Sequence, residues 1–173
     1  MALFLISGCA PAPKVISDTN TTTRKVSGKS TLSDETYVTY RNAHENSPKI
    51  PQMILDLIHQ HMAKKEYLLA RFYCDEYRRD FPSGKRRVEV EYLRIKALYL
   101  RYKSGHDERV AMQVNGEAKA FLSEYRRTSY HSKVQGLLRQ MRQDQNIRYE
   151  ELAKYYEGKG KPKAAEFYRK KIR

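Results

Sequence analysis

From residue 50 onward the chain alternates between helical apolar stripes and short polar breaks. Ile50, Met53, Ile54, Leu57 and Ile58 recur at i, i+3, i+4, i+7 and i+8, the spacing that keeps one helix face apolar. Pro51 suits the first turn, where its missing N–H costs nothing. A second helix is predicted after Lys64-Lys65, with Ala70, Tyr73, Cys74, Tyr77 and Phe81 inward, and Pro82-Ser83-Gly84 stops it. A third is predicted over 86–103. Val88, Tyr92, Ile95, Tyr99 and Tyr102 make one apolar face and Leu93, Ala97 and Leu100 another, so this helix packs on two sides. Ser104-Gly105 breaks it, and Asp107 can cap a fourth helix carrying Ala111, Val114, Ala118, Phe121, Leu122 and Tyr125. Ser132 opens a fifth over 132–157. Gly158 to Pro162 reads as a turn, and a sixth helix begins near Lys163.

No strand pattern accompanies these stripes. Tyr37-Val38-Thr39-Tyr40 alternates, but a lone strand has no ladder partner, so it reads as a loop or a docking segment. Contiguous helices with short turns fit a bundle or a solenoid, and an internal echo decides between them. Glu76-Tyr77-Arg78-Arg79 followed by Phe81-Pro82-Ser83 is matched by Glu124-Tyr125-Arg126-Arg127 followed by Tyr130-His131-Ser132. Small residues early in the second helix of a pair, Ala70 and Ala164, let two helices approach closely. This is the logic of a tetratricopeptide repeat. The expected fold is therefore all-α, a tetratricopeptide-like helical-hairpin solenoid of about six helices over 49–173. The echo recurs after 48 residues rather than 34, so the Ser104–Glu117 stretch holds an insertion or one helix is long.

Residues 10–48 read as a flexible linker, because the run from Thr19 to Ser33 is polar and short-chained. The chain has 34 Lys and Arg against 20 Asp and Glu, a net charge of +14. Almost all of that excess lies after residue 48. Basic clusters at Arg78-Arg79, Lys85-Arg86-Arg87, Arg126-Arg127 and Lys159 to Arg173 fall at helix ends and turns, where cations complement the helix dipole. Neither a helix-turn-helix signature nor an aromatic RNA-binding motif accompanies them, so nucleic acid is not an expected partner. No apolar run reaches the length of a membrane-spanning helix. HExxH, CxxC, GxxxxGK and GxSxG are all absent. His59 and His61 stand two apart on a helix, so they point to different faces and cannot share a metal. Cys74, between Tyr73 and Tyr77, reads as a buried small hydrophobe. No catalytic, cofactor or metal site is expected. Most of the 14 Tyr fall at core spacing, leaving a minority for contacts.

Two resemblances add to this reading. Ile6-Ser7-Gly8-Cys9, after Leu3-Phe4-Leu5, resembles the lipobox of bacterial lipoproteins, so residues 1–9 are expected to be a signal segment and Cys9 the acylated residue. Only eight residues precede Cys9 and none is basic, which a start further upstream would explain. Ala10 after the Cys fits export to the outer membrane. The blocks Phe121-Leu122-Ser123-Glu124-Tyr125-Arg126-Arg127, Leu138 to Arg142, Glu151-Leu152-Ala153-Lys154-Tyr155-Tyr156-Glu157-Gly158 and Ala164-Ala165 resemble the BamD (ComL-like) family of outer-membrane assembly lipoproteins. Tyr130-His131 stands where that family has Tyr-Pro. The resemblance implies a non-catalytic scaffold on the periplasmic face of the outer membrane. It would be held by N-terminal acyl chains and docked on the barrel-insertase and other assembly-complex subunits. The alternatives are a pilotin-like repeat lipoprotein of a secretion or pilus system, and a cytosolic basic helical protein binding RNA or a peptide. Repeat proteins bind along the face lined by the first helix of each pair, here 50–63, 86–103 and 132–157. Tyr92, Arg94 and Arg101 are the expected contacts there, for an acidic or extended polypeptide.

Overall fold

The computed structural model describes residues 32–172, and among them it holds seven α-helices and no strand. They are α1 (Asp34–Ala43), α2 (Ile50–Ala63), α3 (Tyr67–Asp80), α4 (Arg87–Gly105), α5 (Glu108–Glu124), α6 (Ser129–Gly158) and α7 (Pro162–Arg169). The six expected helices are all present. Cys9 and the rest of the expected signal segment lie outside the described residues.

The helix α1 falls inside the span read as linker, and the Tyr37–Tyr40 alternation belongs to it. Ser33 caps it by accepting from the Thr36 N–H at 3.1 Å, and Asp34 and Glu35 sit in the first turn, where carboxylates favour the dipole. Only Tyr37 of its ten residues is buried. One buried side chain leaves no periodic stripe to read, and so short a helix is marginal without tertiary packing. The contacts that hold it come from α2 and α3. Asp34 meets Tyr73, Tyr37 meets Glu76 and Arg41 meets Asp80, each 39 residues apart, so α1 runs parallel to α3.

The remaining helices form three antiparallel hairpins, α2/α3, α4/α5 and α6/α7, and α4 also packs on α3 and α6. Two core clusters meet at α4. One joins Tyr37, Ile54, Leu57, Ile58, Tyr73 and Tyr77 to Val90 and Leu93. The other joins Ile95, Leu98 and Tyr99 to Val114, Phe121, Val134 and Met141. The two apolar faces of α4 are thus what couples one hairpin to the next, as a solenoid requires. Lengthened helices account for the 48-residue echo. Helices α4 and α5 have 19 and 17 residues, against 14 in each of α2 and α3. Helix α6, with 30 residues, spans about 45 Å. Its first half completes the second core cluster, and its last turns pack on α7 through stacked Tyr156 and Tyr168 rings 5.5 Å apart.

Ala70 is fully buried, as the close-approach argument expects. In the last hairpin the fully buried small residue is Ala165; Ala164, one position earlier, is half-buried. Replacing Ala70 by Leu adds three carbons to a filled site and is expected to cost about 1–3 kcal/mol. An unchanged melting temperature in Ala70→Leu would remove the close-packing role.

Candidate protein-docking site

The polar side chains between helices are mostly paired, so the residues left unpaired carry the information. Along the α1–α3 seam, Arg41 pairs with Glu76 and Asp80. Along the α3–α5 seam, Arg71 forks onto both oxygens of Glu117 at 2.7 and 3.2 Å. Between α3 and α4, the carboxylate of Glu91 is buried and accepts from Arg78 at 2.6 Å and Arg87 at 2.9 Å. These are charge-assisted bonds in partly desolvated places, worth more than rim pairs.

The three expected contact residues are not brought together. Arg94 does not line an inner face: it is wedged between outer helices, with Nε 2.7 Å from Asp75 and Nη1 2.9 Å from Glu117. Its side chain is only 15% exposed. The fold itself uses this residue, which composition and spacing could not reveal, because its partners lie 19 and 23 positions away. Tyr92, two positions back on α4, faces elsewhere. It is half-buried, touches both core clusters and packs on Tyr130 of α6 at 5.1 Å. Arg101 alone is exposed, with no carboxylate in ion-pair reach among the described residues. It edges a shallow hollow of about 280 Å³ with Lys65, Glu66, Tyr67, Leu68, Leu69 and Ser104, Glu66 being engaged with His61 at 2.6 Å. Leu68 is 62% exposed and Leu69 44%, and Phe72 lies one turn further along α3 at 58%. An unpaired guanidinium beside uncovered aliphatic groups suits a polypeptide with one carboxylate and flanking apolar side chains.

A buried polar centre escaped the sequence reading. His61 of α2 is 2% exposed and stacked on Tyr73, with ring centroids 5.4 Å apart. Its Nδ1 lies 2.6 Å from Glu66 and its Nε2 2.9 Å from Asp34, which also accepts from the Tyr73 hydroxyl at 2.8 Å. His61 therefore ties the first residue of α1 to the α2–α3 turn. Only the i+5 spacing of His61 and Glu66 was visible in the sequence; Asp34 is 27 residues away. Burial works against ionising Asp34, but hydrogen bonds from His61 and Tyr73 and the charges of His61 and Lys64 outweigh it and hold its carboxyl below the usual range. Asp80, at the other end of α1, is also held low, its burial outweighed by Arg79 and Arg41. Groups with depressed folded values contribute stability above the unfolded value, about 4, and lose it as pH falls through the folded one. Melting temperature is therefore expected to fall as pH drops below about 4, and to fall less in Asp34→Asn. Equal acid sensitivity in that variant would remove Asp34 from the account.

Cys74 is fully buried, and burial, helped by the charge of Asp75, pushes its thiol up, away from the reactive thiolate. Among the described residues no three His, Cys, Asp or Glu side chains converge as a metal site, and no helix is long and apolar enough to cross a membrane.

The fold defines a helical-hairpin repeat protein. The chain belongs to the YfiO family of outer membrane lipoproteins, whose model matches residues 23–171. It is also similar to the outer membrane protein assembly factor BamD of Helicobacter pylori (strain ATCC 700392 / 26695), 28% identical over 140 residues, which is 80% of this chain. The chain spans 64% of the length of that relative.

Proposed function

We propose that this protein is a lipid-anchored scaffold on the periplasmic face of the outer membrane, and that it assists β-barrel assembly by holding the barrel-insertase and other assembly subunits. The observation that carries this reading is the family match over residues 23–171, which spans the whole helical stack. The assembly-factor name of the Helicobacter pylori relative favours it over the pilotin-like alternative. In this reading the protein works by binding rather than catalysis. Cys9 carries the acyl chains, and Arg101, flanked by Leu68 and Leu69, takes an acidic stretch of an extended partner segment.

The test has two arms. Solubilised membranes should yield the barrel-insertase together with the tagged full chain, and Arg101→Glu should reduce that recovery without changing the melting temperature. Pilus or secretion subunits in its place would overturn the assembly reading. Cys9→Ala should release the protein from membranes into soluble fractions. Intact-mass analysis finding Cys9 without acyl chains in membrane-bound protein would overturn the anchor.

A further inference from the structure

The outer helices α1, α3, α5 and α7 follow one another along the stack, and two of their three seams are closed by charge pairs. Arg41 with Glu76 and Asp80 closes the first, and Arg71 with Glu117 the second. The third seam, between α5 and α7, is different. Helix α7 packs on α6 alone, because the length of α6 carries it beyond α5. A groove of about 660 Å³ is left, with α5 on one wall, α6 as its floor and Lys170 and Lys171 at one end.

Its lining mixes a small apolar patch with the polar side chains of Asn115, Gln145 and Asn146, and carries cations on the rim. Half-buried Leu138 lies on the floor above Met141, which belongs to the core, and Met112, 72% exposed, stands on the α5 wall. Lys119 and Arg142 are exposed on the rim, and neither has a carboxylate in ion-pair reach among the described residues. Glu108 is the one carboxylate in the lining, and it already accepts from Tyr149 at 2.6 Å with Lys171 4.0 Å away. The groove lining runs over 108–119 of α5 and 138–149 of α6, about 17 Å, or three helical turns.

We propose that this groove is a docking site for an acidic amphipathic helix of a partner protein. An apolar stripe at i, i+3, i+4 and i+7 would cover Met112 and Leu138. Flanking carboxylates would give Lys119 and Arg142 the counterions that the two closed seams supply from within the chain. The helix would lie between α5 and α7, where the described residues place no helix. A flat anionic surface or an extended nucleic acid strand would meet the rim but leave Met112 and Leu138 uncovered. The site is separate from the Arg101 hollow and does not depend on which outer-membrane machine the protein serves.

The experiment uses the full chain in detergent and three fluorescein-labelled 18-residue peptides, read by anisotropy. The first has Leu at i, i+3, i+4 and i+7 with Glu and Ala elsewhere. The second has Lys in place of Glu, and the third is the acidic peptide with a central Pro. The acidic helix should bind, and the Lys and Pro peptides should bind at least tenfold more weakly. Lys119→Glu with Arg142→Glu should weaken the acidic peptide at least tenfold, and so should Met112→Asp. These side chains are exposed and make no ion pair, and matched circular-dichroism melts will verify folding. Lys119→Gln with Arg142→Gln serves if the reversal fails to fold. Arg126→Glu with Arg127→Glu changes net charge equally but lies outside the groove, and should leave binding within twofold. Equal weakening by that control would mean bulk attraction and overturn the site. So would full binding by the Met112→Asp variant, or by the Pro peptide. Displacement of the peptide by single-stranded RNA or anionic phosphatidylglycerol vesicles, with the same dependence on Lys119 and Arg142, would reassign the groove and overturn the helix proposal.

Discussion

Arg94→Glu is expected to unfold the centre of the stack at a temperature about 10 °C below the parent, taking about 3 °C per kcal/mol for a chain of this size. The wild-type guanidinium is 15% exposed and touches Asp75, Glu117 and, at 3.9 Å, Glu91. Removing one member of such a largely buried set costs about 3–5 kcal/mol, because the charges left behind are no longer compensated. Asp75 is 44% exposed and can rehydrate, which argues for the lower end of that range. Reversal goes further than removal, since a fourth carboxylate is placed among three. Arg101→Glu, seven residues on and on the same side of α4, is the matched comparison. It is exposed and unpaired, so its effect on stability should stay within about 0.5 kcal/mol. Thermal melts of the two variants, run side by side, decide the matter. Equal melting temperatures would show that Arg94 is a solvated surface residue after all.

The contrast between these two arginines marks how far the sequence could be read. Helix positions were legible because the stripes repeat every three or four residues and because Pro82-Ser83-Gly84, Ser104-Gly105 and Gly158 to Pro162 punctuate them. The observed boundaries of α2 to α5 fall close to those stripes, and only the opening turn of α6, at Ser129, precedes the expected start. Periodicity failed where burial is sparse. Helix α1 hides one side chain, so its helical character depends on partners in α2 and α3 that no local pattern encodes. Side-chain pairing was illegible for a related reason. A basic residue on a two-sided helix is consistent with solvent or with a buried carboxylate, and the choice depends on a neighbour such as Glu117, 23 residues from Arg94 and 46 from Arg71. Arg94 and Arg101 were both expected as partner contacts, and the structure pairs Arg94 with carboxylates and leaves Arg101 exposed, although both sit on one helical face. Cys74 could be placed because its local neighbours are enough: Tyr73 and Tyr77 share its buried stripe.

His61→Leu is expected to detach α1 while leaving the hairpins folded. Leu fills a volume close to that of the ring, so the apolar contacts with Tyr73 are largely kept and little cavity is left. What is lost is the pair of hydrogen bonds to Glu66 and Asp34. Bonds to charged groups contribute about 1.5–3 kcal/mol each. Both carboxylates are close to half exposed, at 44% and 48%, and recover part of that from water. A net cost of about 2 kcal/mol is expected after that recovery. It should not be spread evenly. Helices α2 and α3 keep Ile54, Leu57, Ile58 and Tyr77 in their shared core, whereas α1 keeps Tyr37, the Arg41 pairs and the Tyr73 bond to Asp34. Amide hydrogen exchange should therefore quicken over 34–43 about tenfold or more, the factor that 1.4 kcal/mol corresponds to, with protection in α4 to α6 unchanged. His61→Gln, which can donate to one carboxylate at a time, should fall between. Unaltered exchange over 34–43 in His61→Leu would show that Tyr37 and Arg41 hold α1 without the histidine.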